Sequence, residues 1–417
     1  MMNSYDFDVL IDRKGTNSVK WDRAAIKGIC GNGEAEPFWV ADMDWQAPPE
    51  VLKAAHDLAD HGIYGYPIAP QQRQVFCAWA KERHNLEVSP SQVVVSQGVL
   101  SSLATLIEII SAEGDGIIVP LPAYQPFIRI VNNFKRTLLS WPLTYDQQTN
   151  RFKVDWEALE VLLPDAKALI FCSPHNPTGL TFSSDELVAL SSLCAKHQVT
   201  IISDEIHSDL AFAAHHCLLE AAAGTGCNVI VLMAPSKTFN IAGEHYSFTL
   251  FSNDEAKEQF IRRRDQLYGS SVSTTAIVLA MAAYRHGGAW LKALVDHLND
   301  QAEFIEHYLY ERTPSLTFIA PQASFIALID CARIIRLVEQ DAALHPELYN
   351  PELSPNGGLL SRFFGQRAGV AVNDGTWFGG DAYRRFVRFN FAAPRVRVAA
   401  ALDRMAGAVE ELKKRYS

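Results

Sequence analysis

No run of apolar residues in this chain of 417 approaches the length needed to cross a membrane. Its seven cysteines stand singly, at Cys30, Cys77, Cys172, Cys194, Cys217, Cys227 and Cys331. Without a C-x-x-C pair, neither a zinc site nor a disulfide framework is expected, and free thiols in a reducing compartment are. Basic residues are the minority, 37 against 47 acidic ones, for a net charge of −10. That balance argues against nucleic acid or an anionic membrane surface as partner. The opening residues, Met1 to Asp8, lack the basic region and apolar core of a secretory signal, so a cytoplasmic protein is expected. Internal repeats and low-complexity tracts are absent as well.

What is present fits a globular protein: 48% hydrophobic and 20% charged residues. The length exceeds one ordinary core, and two domains are expected. Residues 1–45 read as an N-terminal arm joining a smaller domain, 46–288 as a large domain and 289–417 as a small C-terminal one. Between about residues 90 and 250, buried-type strands (Val93–Val95, Ile117–Val119, Ala168–Cys172, Val199–Ser203, Val229–Met233) alternate with helical patterns. That is the signature of a largely parallel sheet covered on both faces. From residue 250 onward long helices dominate, over Glu255–Tyr268, Thr274–Tyr284, Ala289–Tyr310 and Val398–Lys414. Shorter strands lie at Leu316–Ile319, Phe325–Ile329 and Phe386–Phe389, and the polar stretch from Arg333 to Gly358 has no assigned structure.

In such sheets ligands sit beyond the carboxyl ends of the strands, and five unusual stretches fall there. Ala234-Pro235-Ser236-Lys237-Thr238 places a lysine among small residues just past a buried strand. An amine in a partly dry pocket loses its charge readily and attacks carbonyls; a solvated loop lysine is the plain alternative. Ser96-Gln97-Gly98-Val99 sets a glycine at a helix start, which is either a phosphate site or a simple cap. Tyr124 can stack on a planar ligand or merely pack. Ser173-Pro174-His175-Asn176-Pro177-Thr178-Gly179 carries an amide on a turn of breakers. Asp204, in Asp204-Glu205-Ile206-His207-Ser208-Asp209, ends an apolar strand, where a carboxylate needs a cation: a protonated pyridine nitrogen or a structural ion pair. Together these are the parts that hold pyridoxal 5′-phosphate.

With those residues in view, the chain resembles the class I/II aminotransferase family of fold type I pyridoxal-phosphate enzymes. The general marks are Asn176-Pro177-x-Gly179, Asp204, Ser236-Lys237 and Arg388. Within the family it is most similar to the cystathionine β-lyase, or carbon–sulfur lyase, branch. The marks of that branch are Ser18-Val19-Lys20-Trp21-Asp22, Trp39-Val40-Ala41-Asp42-Met43-Asp44, Asp204 to Asp209, and Ala282-Ala283-Tyr284 with Trp290-Leu291. The resemblance implies an α/β fold, with a mostly parallel, seven-stranded-type sheet in the large domain and a smaller α+β domain. It implies that Lys237 carries the cofactor, that Asp204 pairs with the ring nitrogen, that Asn176 reaches the ring hydroxyl and that Tyr124 stacks on the ring. Gly98 and Val99 would take the phosphate with Ser236 nearby, His207 would lie near the ring hydroxyl, and Tyr66 would reach the phosphate of a neighbouring subunit, making a homodimer. Arg388 would clamp the substrate carboxylate, with Trp39 and Asn176 beside it.

The reaction so implied is β-elimination of L-cystathionine or a related cysteine S-conjugate to thiol, pyruvate and ammonia, with Lys237 removing the Cα proton. An aminotransferase shares Lys237, Asp204 and Arg388, and a cofactor-bound regulatory protein is a third reading. The chain departs from its relatives at Ala234, where a phosphate-binding serine is common, at Ala327, where a tryptophan is common, and at Glu244-His245-Tyr246. His245 either binds the phosphate or packs at a dimer interface.

Overall fold

In the computed structural model, residues 5–416 are described. Among the described residues fourteen strands are present: β1 (Glu36–Pro37), β2 (Val93–Ser96), β3 (Gly116–Leu121), β4 (Thr137–Asp146), β5 (Arg151–Val154), β6 (Ala166–Cys172), β7 (Thr200–Asp204), β8 (Val229–Met233), β9 (Ser247–Phe251), β10 (Thr317–Ile319), β11 (Ile326–Asp330), β12 (Val370–Ala371), β13 (Asn373–Asp374) and β14 (Phe386–Asn390). The large sheet has the order β2-β9-β8-β7-β6-β3-β4-β5. Its centre, β8-β7-β6-β3-β4, is parallel, while β9 runs antiparallel to both β2 and β8. A four-stranded antiparallel sheet, β10-β11-β14-β13, lies in the C-terminal part.

The α/β architecture is as expected, and the sheet differs in having eight strands rather than seven. Three of the eight, β4, β5 and β9, lie outside the strands read from the sequence, and β5 pairs antiparallel with β4 across the turn at Gln147–Asn150. Its Arg151 and Lys153 face water while Phe152 is buried, and so short a run carries little of the hydrophobic signal by which a strand is read. The stretch from Arg333 to Gly358 contains a helix, Ile335–Leu344, and is ordered around the buried Asp341. That carboxylate accepts hydrogen bonds from Tyr349 (2.6 Å), Tyr416 (2.7 Å) and Arg367 (2.9 Å from Nη2).

Alternation along the strands explains why the sheet stays covered on both faces. Val93, Val95, Leu169, Phe171, Ile201, Val229 and Val231 pack into one apolar core, and their neighbours Val94, Ala168, Ile170, Ile202, Ile230 and Leu232 into another. Every residue of β2, β3, β7, β8 and β9 is buried, which is why runs such as Val93–Val95, Ile117–Val119 and Val229–Met233 are continuously apolar. Helix boundaries follow local chemistry. Pro49 opens Pro49–His61 at its first position and Gly62, at φ 71°, closes it. Ser183 and Glu186 form a capping box at the start of Ser184–Lys196.

One strip of irregular chain, residues 38–45, crosses between the two sheets. Phe38 N donates to Ala371, Asn390 N to Phe38 and Asp44 N to Ala392, fixing the strip to the C-terminal sheet. On its other side Asn240 Nδ2 donates to the carbonyls of Met43 (3.0 Å) and Trp45 (2.6 Å), and its Oδ1 accepts from Met43 N (3.0 Å). The strip is anchored by Asp44, fully buried and paired with Arg13 (2.7 Å), Lys20 (3.2 Å) and Arg397 (3.3 Å).

Replacing Asp341 by alanine leaves two tyrosine hydroxyls and a guanidinium without their acceptor. The expected cost is about 3 kcal/mol, read as a lower denaturant midpoint, with a smaller loss for Tyr416→Phe.

Candidate active site

A cavity of about 380 Å³ opens beyond the carboxyl ends of β3, β6, β7 and β8. Nine of the twelve residues singled out from the sequence line it: Gly98, Val99, Tyr124, Asn176, Asp204, His207, Ser236, Lys237 and His245. The other three, Tyr66, Trp39 and Arg388, lie outside its wall, and Arg388 reaches it through Asn176.

Lys237 sits in a single turn, Pro235–Thr238, directly after β8. Its Nζ donates to the Ala41 carbonyl at 2.7 Å, a contact supplied by the crossing strip. Burial lowers its pKa, Arg388 acts in the same direction, and Asp42 and Asp204 act against them. Asp204 is the last residue of β7 and is 4% exposed. Burial pushes its carboxyl up to about 7, more than the hydrogen bond from Ile206 N (3.1 Å) and the nearby Lys237 offset. Among the described residues no cation forms an ion pair with it, so it is a buried acid whose cation has to come from a ligand or whose proton has to stay.

At the opposite end stands the N-terminus of the helix Val99–Ile110. Gly98 caps it at φ 88°, and the first intrahelical donor is Ser102, 3.2 Å from the Gly98 carbonyl. The N–H groups of Val99, Leu100 and Ser101 are therefore free of intrahelical partners and, with the helix dipole, favour an anion. A Cβ on Gly98 would lie 3.5 Å from Nδ1 of His245, which places that imidazole over the helix opening.

Arg388, on β14, is 3% exposed. Its Nη1 donates to Asn176 Oδ1 (3.1 Å), and its Nη2 donates to the Trp39 carbonyl (2.7 Å) and to Asn373 Oδ1 (2.8 Å). The Phe378 ring lies 4.9 Å from its Cζ, and its Nε has no partner. All these groups are neutral, and burial lowers the guanidinium pKa to about 10. A buried cation surrounded only by neutral acceptors suits an incoming carboxylate. Trp39 contributes its carbonyl here, while its indole N–H turns away to the Lys20 carbonyl (3.1 Å). Tyr124 stands edge-on to Phe127 at 5.5 Å, and burial raises its pKa. His207 is held by Ser324 Oγ at 3.0 Å from Nδ1, and burial pushes its pKa to about 3, so it is a neutral ring at physiological pH. Tyr66 is fully exposed on the loop between two helices.

Sequence reasoning passed over several residues that build this site. Asn240 holds the lysine turn to the crossing strip from a left-handed backbone at φ 54°, which asparagine tolerates better than most side chains. Asn373 orients Arg388, and Asp209 ties the turn after β7 to Thr238. A signal existed for Asp209, which lies within the stretch Asp204 to Asp209 already marked, and Asn240 falls two residues beyond the marked Ala234–Thr238. Nothing in the sequence separates Asn373 from any other strand asparagine.

Between pH 4 and 7 the folded chain holds a proton on Asp204 that the unfolded chain, with a carboxyl near 3.8, has released. Stability of the ligand-free protein therefore declines as pH rises through that window. Asp204→Asn is expected to remove this decline, about 4 kcal/mol by pH 7, in thermal unfolding measured from pH 4 to 8.

The profile of the family described as Aminotransferase class I and II matches residues 40–405. Cystathionine beta-lyase PatB of Bacillus subtilis is 33% identical over 330 residues, covering 78% of this chain and 84% of its own. Cystalysin from Treponema denticola, solved with a pyridoxal 5′-phosphate cofactor, superposes with a TM-score of 0.86 at 27% identity, covering 98% of this chain and all of its own. The PLP-bound C-S lyase from Staphylococcus hominis superposes with a TM-score of 0.85 at 26% identity, covering 97% of this chain and 98% of its own. A match along most of the chain leads to one conclusion: the chain belongs to the aminotransferase class I and II family.

Proposed function

We propose that the chain is a pyridoxal-phosphate carbon–sulfur β-lyase that converts L-cystathionine or a related cysteine S-conjugate to thiol, pyruvate and ammonia. The observation that carries the reading is the set of unmatched charges around one cavity. Asp204 lacks a cation, Arg388 lacks an anion, a helix N-terminus lacks an acceptor, and Lys237 is an amine of lowered pKa among them. Pyridoxal phosphate and an amino-acid substrate supply each missing partner: a ring nitrogen, a carboxylate, a phosphate and a carbonyl carbon. Relatives named for cystathionine and C–S lyase activity support the choice of reaction.

The cofactor, when bound, supplies the electron sink that stabilises the pair left at Cα. Asp204 would keep the ring nitrogen protonated, since pairing with that cation favours its own ionised form. Gly98, Val99, Ser236 and His245 would hold the phosphate, and Tyr124 would flank the ring. Asn176 has its oxygen committed to Arg388 and its amide N–H groups free, so it would donate to the ring hydroxyl with His207 near by. Arg388 would grip the substrate carboxylate and thereby turn the Cα proton toward Lys237. Lys237, uncharged once it releases the cofactor, would take that proton as general base.

The same reading assigns residues 46–288 to cofactor binding and 289–417, with the arm 1–45, to a second unit bearing Arg388. It also makes the enzyme a homodimer. Ile63, Tyr64, Tyr66 and Ile68 are exposed on one loop, and a second cavity of about 770 Å³ bordered by Tyr64, Tyr66 and Thr274 shares Gln97, Ser101, Glu244 and His245 with the first. A partner's loop entering there would bring its tyrosine to the phosphate end. Among the described residues no helix is long and apolar enough to cross a membrane.

Incubation with cystathionine alone is expected to yield pyruvate and thiol in equal amounts, and conversion only when a keto acid is added would make the protein an aminotransferase instead. Lys237→Ala is expected to lose at least about 10³-fold in kcat. Arg388→Lys, which keeps the charge and loses the planar fork, is expected to raise KM more than it lowers kcat, at a total cost of about 10²-fold in kcat/KM.

A further inference from the structure

Lys237 can act only if its turn is held in register with the strand end bearing Asp204, and a third carboxylate bridges the two. Asp209 lies five residues after Asp204, in the short helical turn Ser208–Leu210, and is 4% exposed. Its Oδ1 accepts from Trp79 Nε1 (3.0 Å) and His84 Nε2 (2.8 Å), both on the helix Gln72–His84. Its Oδ2 accepts from the hydroxyl of Thr238 at 2.8 Å, and Thr238 is fully buried immediately after Lys237. Arg83 donates to the Asp209 carbonyl at 2.7 Å, fixing the backbone as well as the side chain. Behind this group, His215 packs edge-on against His84 at 5.4 Å and bonds Glu205 at 2.7 Å. Burial acts to raise the Asp209 pKa, but the bonds from His84 and Thr238 outweigh it, so the carboxylate stays ionised and keeps its donors.

We propose that Asp209 is a positioning residue for Lys237, fixing the lysine turn against the β7 end through the hydroxyl of Thr238. The inference rests on the reading of Lys237 as the residue that carries the cofactor. The other flank of the turn is tied by Asn240 and Ala41 to the crossing strip, so Asp209 is the tie on the large-sheet side. Asp42, Asp204 and Arg388 are the charges that act on the Lys237 amine, and a turn that shifts changes its distance from each of them.

The holoenzyme with Thr238→Val keeps the volume of the side chain and loses only the donor to Asp209. Its kcat is expected to fall about 10- to 100-fold with KM within about twofold, as expected for a reacting group displaced by a fraction of an ångström. The pH midpoint of the absorption change of the lysine-linked cofactor is expected to move by about half a unit or more. Thr238→Ser, which keeps the hydroxyl, is expected to stay near the parent in both. Asp209→Asn is expected to change both readouts in the same sense as Thr238→Val, and where it fails to fold the threonine pair decides. A Thr238→Val enzyme with parental kcat and midpoint overturns the proposal, as does one whose loss lies in KM, or a Thr238→Ser enzyme as impaired as the valine variant. If instead Lys237→Ala retains the lysine-linked absorption band, the underlying assignment of the lysine has failed, an outcome separate from any result at Thr238.

Discussion

The site depends on a carboxylate far from its chemistry. Asp44 has no exposed surface, and a charge so placed is tolerable only because Arg13, Lys20 and Arg397 surround it. Those three cations come from the N-terminal arm and from the last helix, so the cluster draws both ends of the chain onto residues 38–45. That strip in turn supplies the Ala41 carbonyl to Lys237, the Trp39 carbonyl to Arg388 and the Val40 and Asp42 carbonyls to Asn390. The amine and the guanidinium proposed to act on one substrate are thus both referenced to a single stretch of backbone, although one follows a strand of the large sheet and the other lies on the C-terminal sheet.

The arrangement also explains why charges can be left unmatched in and beside the cavity. Asp204 and Arg388 each bear a desolvation cost that their direct neighbours do not offset. They hold position because the framework around them is satisfied elsewhere: Asp209 by three side-chain donors, Glu205 by His215 and Leu218, Asp341 by two tyrosines and an arginine. The supporting acids have their hydrogen-bond partners, and Asp204 faces the space where a ligand would sit. Binding of a group with a cation at one end and anions at the other then relieves strain already present in the protein.

Much of this was readable from residues alone. Continuous apolar strands with polar breaks at their ends mark a parallel sheet and its ligand edge, and Lys237, Asp204, Asn176 and Gly98 each stood out as a residue type costly or unusual at a strand end. Arg388 carried no such mark: it lies mid-strand in β14 and was selected through family resemblance. Asp209, Asn240 and Asn373 act through hydrogen bonds to partners 29, 197 and 15 residues away, and no local pattern encodes such pairings. Strands β4 and β5 and the helix Ile335–Leu344 escaped notice because each buries few of its side chains, and β9 because its Ser-Phe-Thr-Leu-Phe run mixes polar with apolar residues though all are buried.

The small strand β5 has a wider effect than its four residues suggest. An unpaired β4 would present ten residues of backbone along the rim of the sheet, a template onto which other chains could add. β5 covers Leu143–Asp146 of that edge and ends it in a short strand bearing Arg151 and Lys153, a form that resists edge-to-edge aggregation. The fold thereby shields the far end of β4, the part that runs on beyond β3, from pairing with the backbone of another chain.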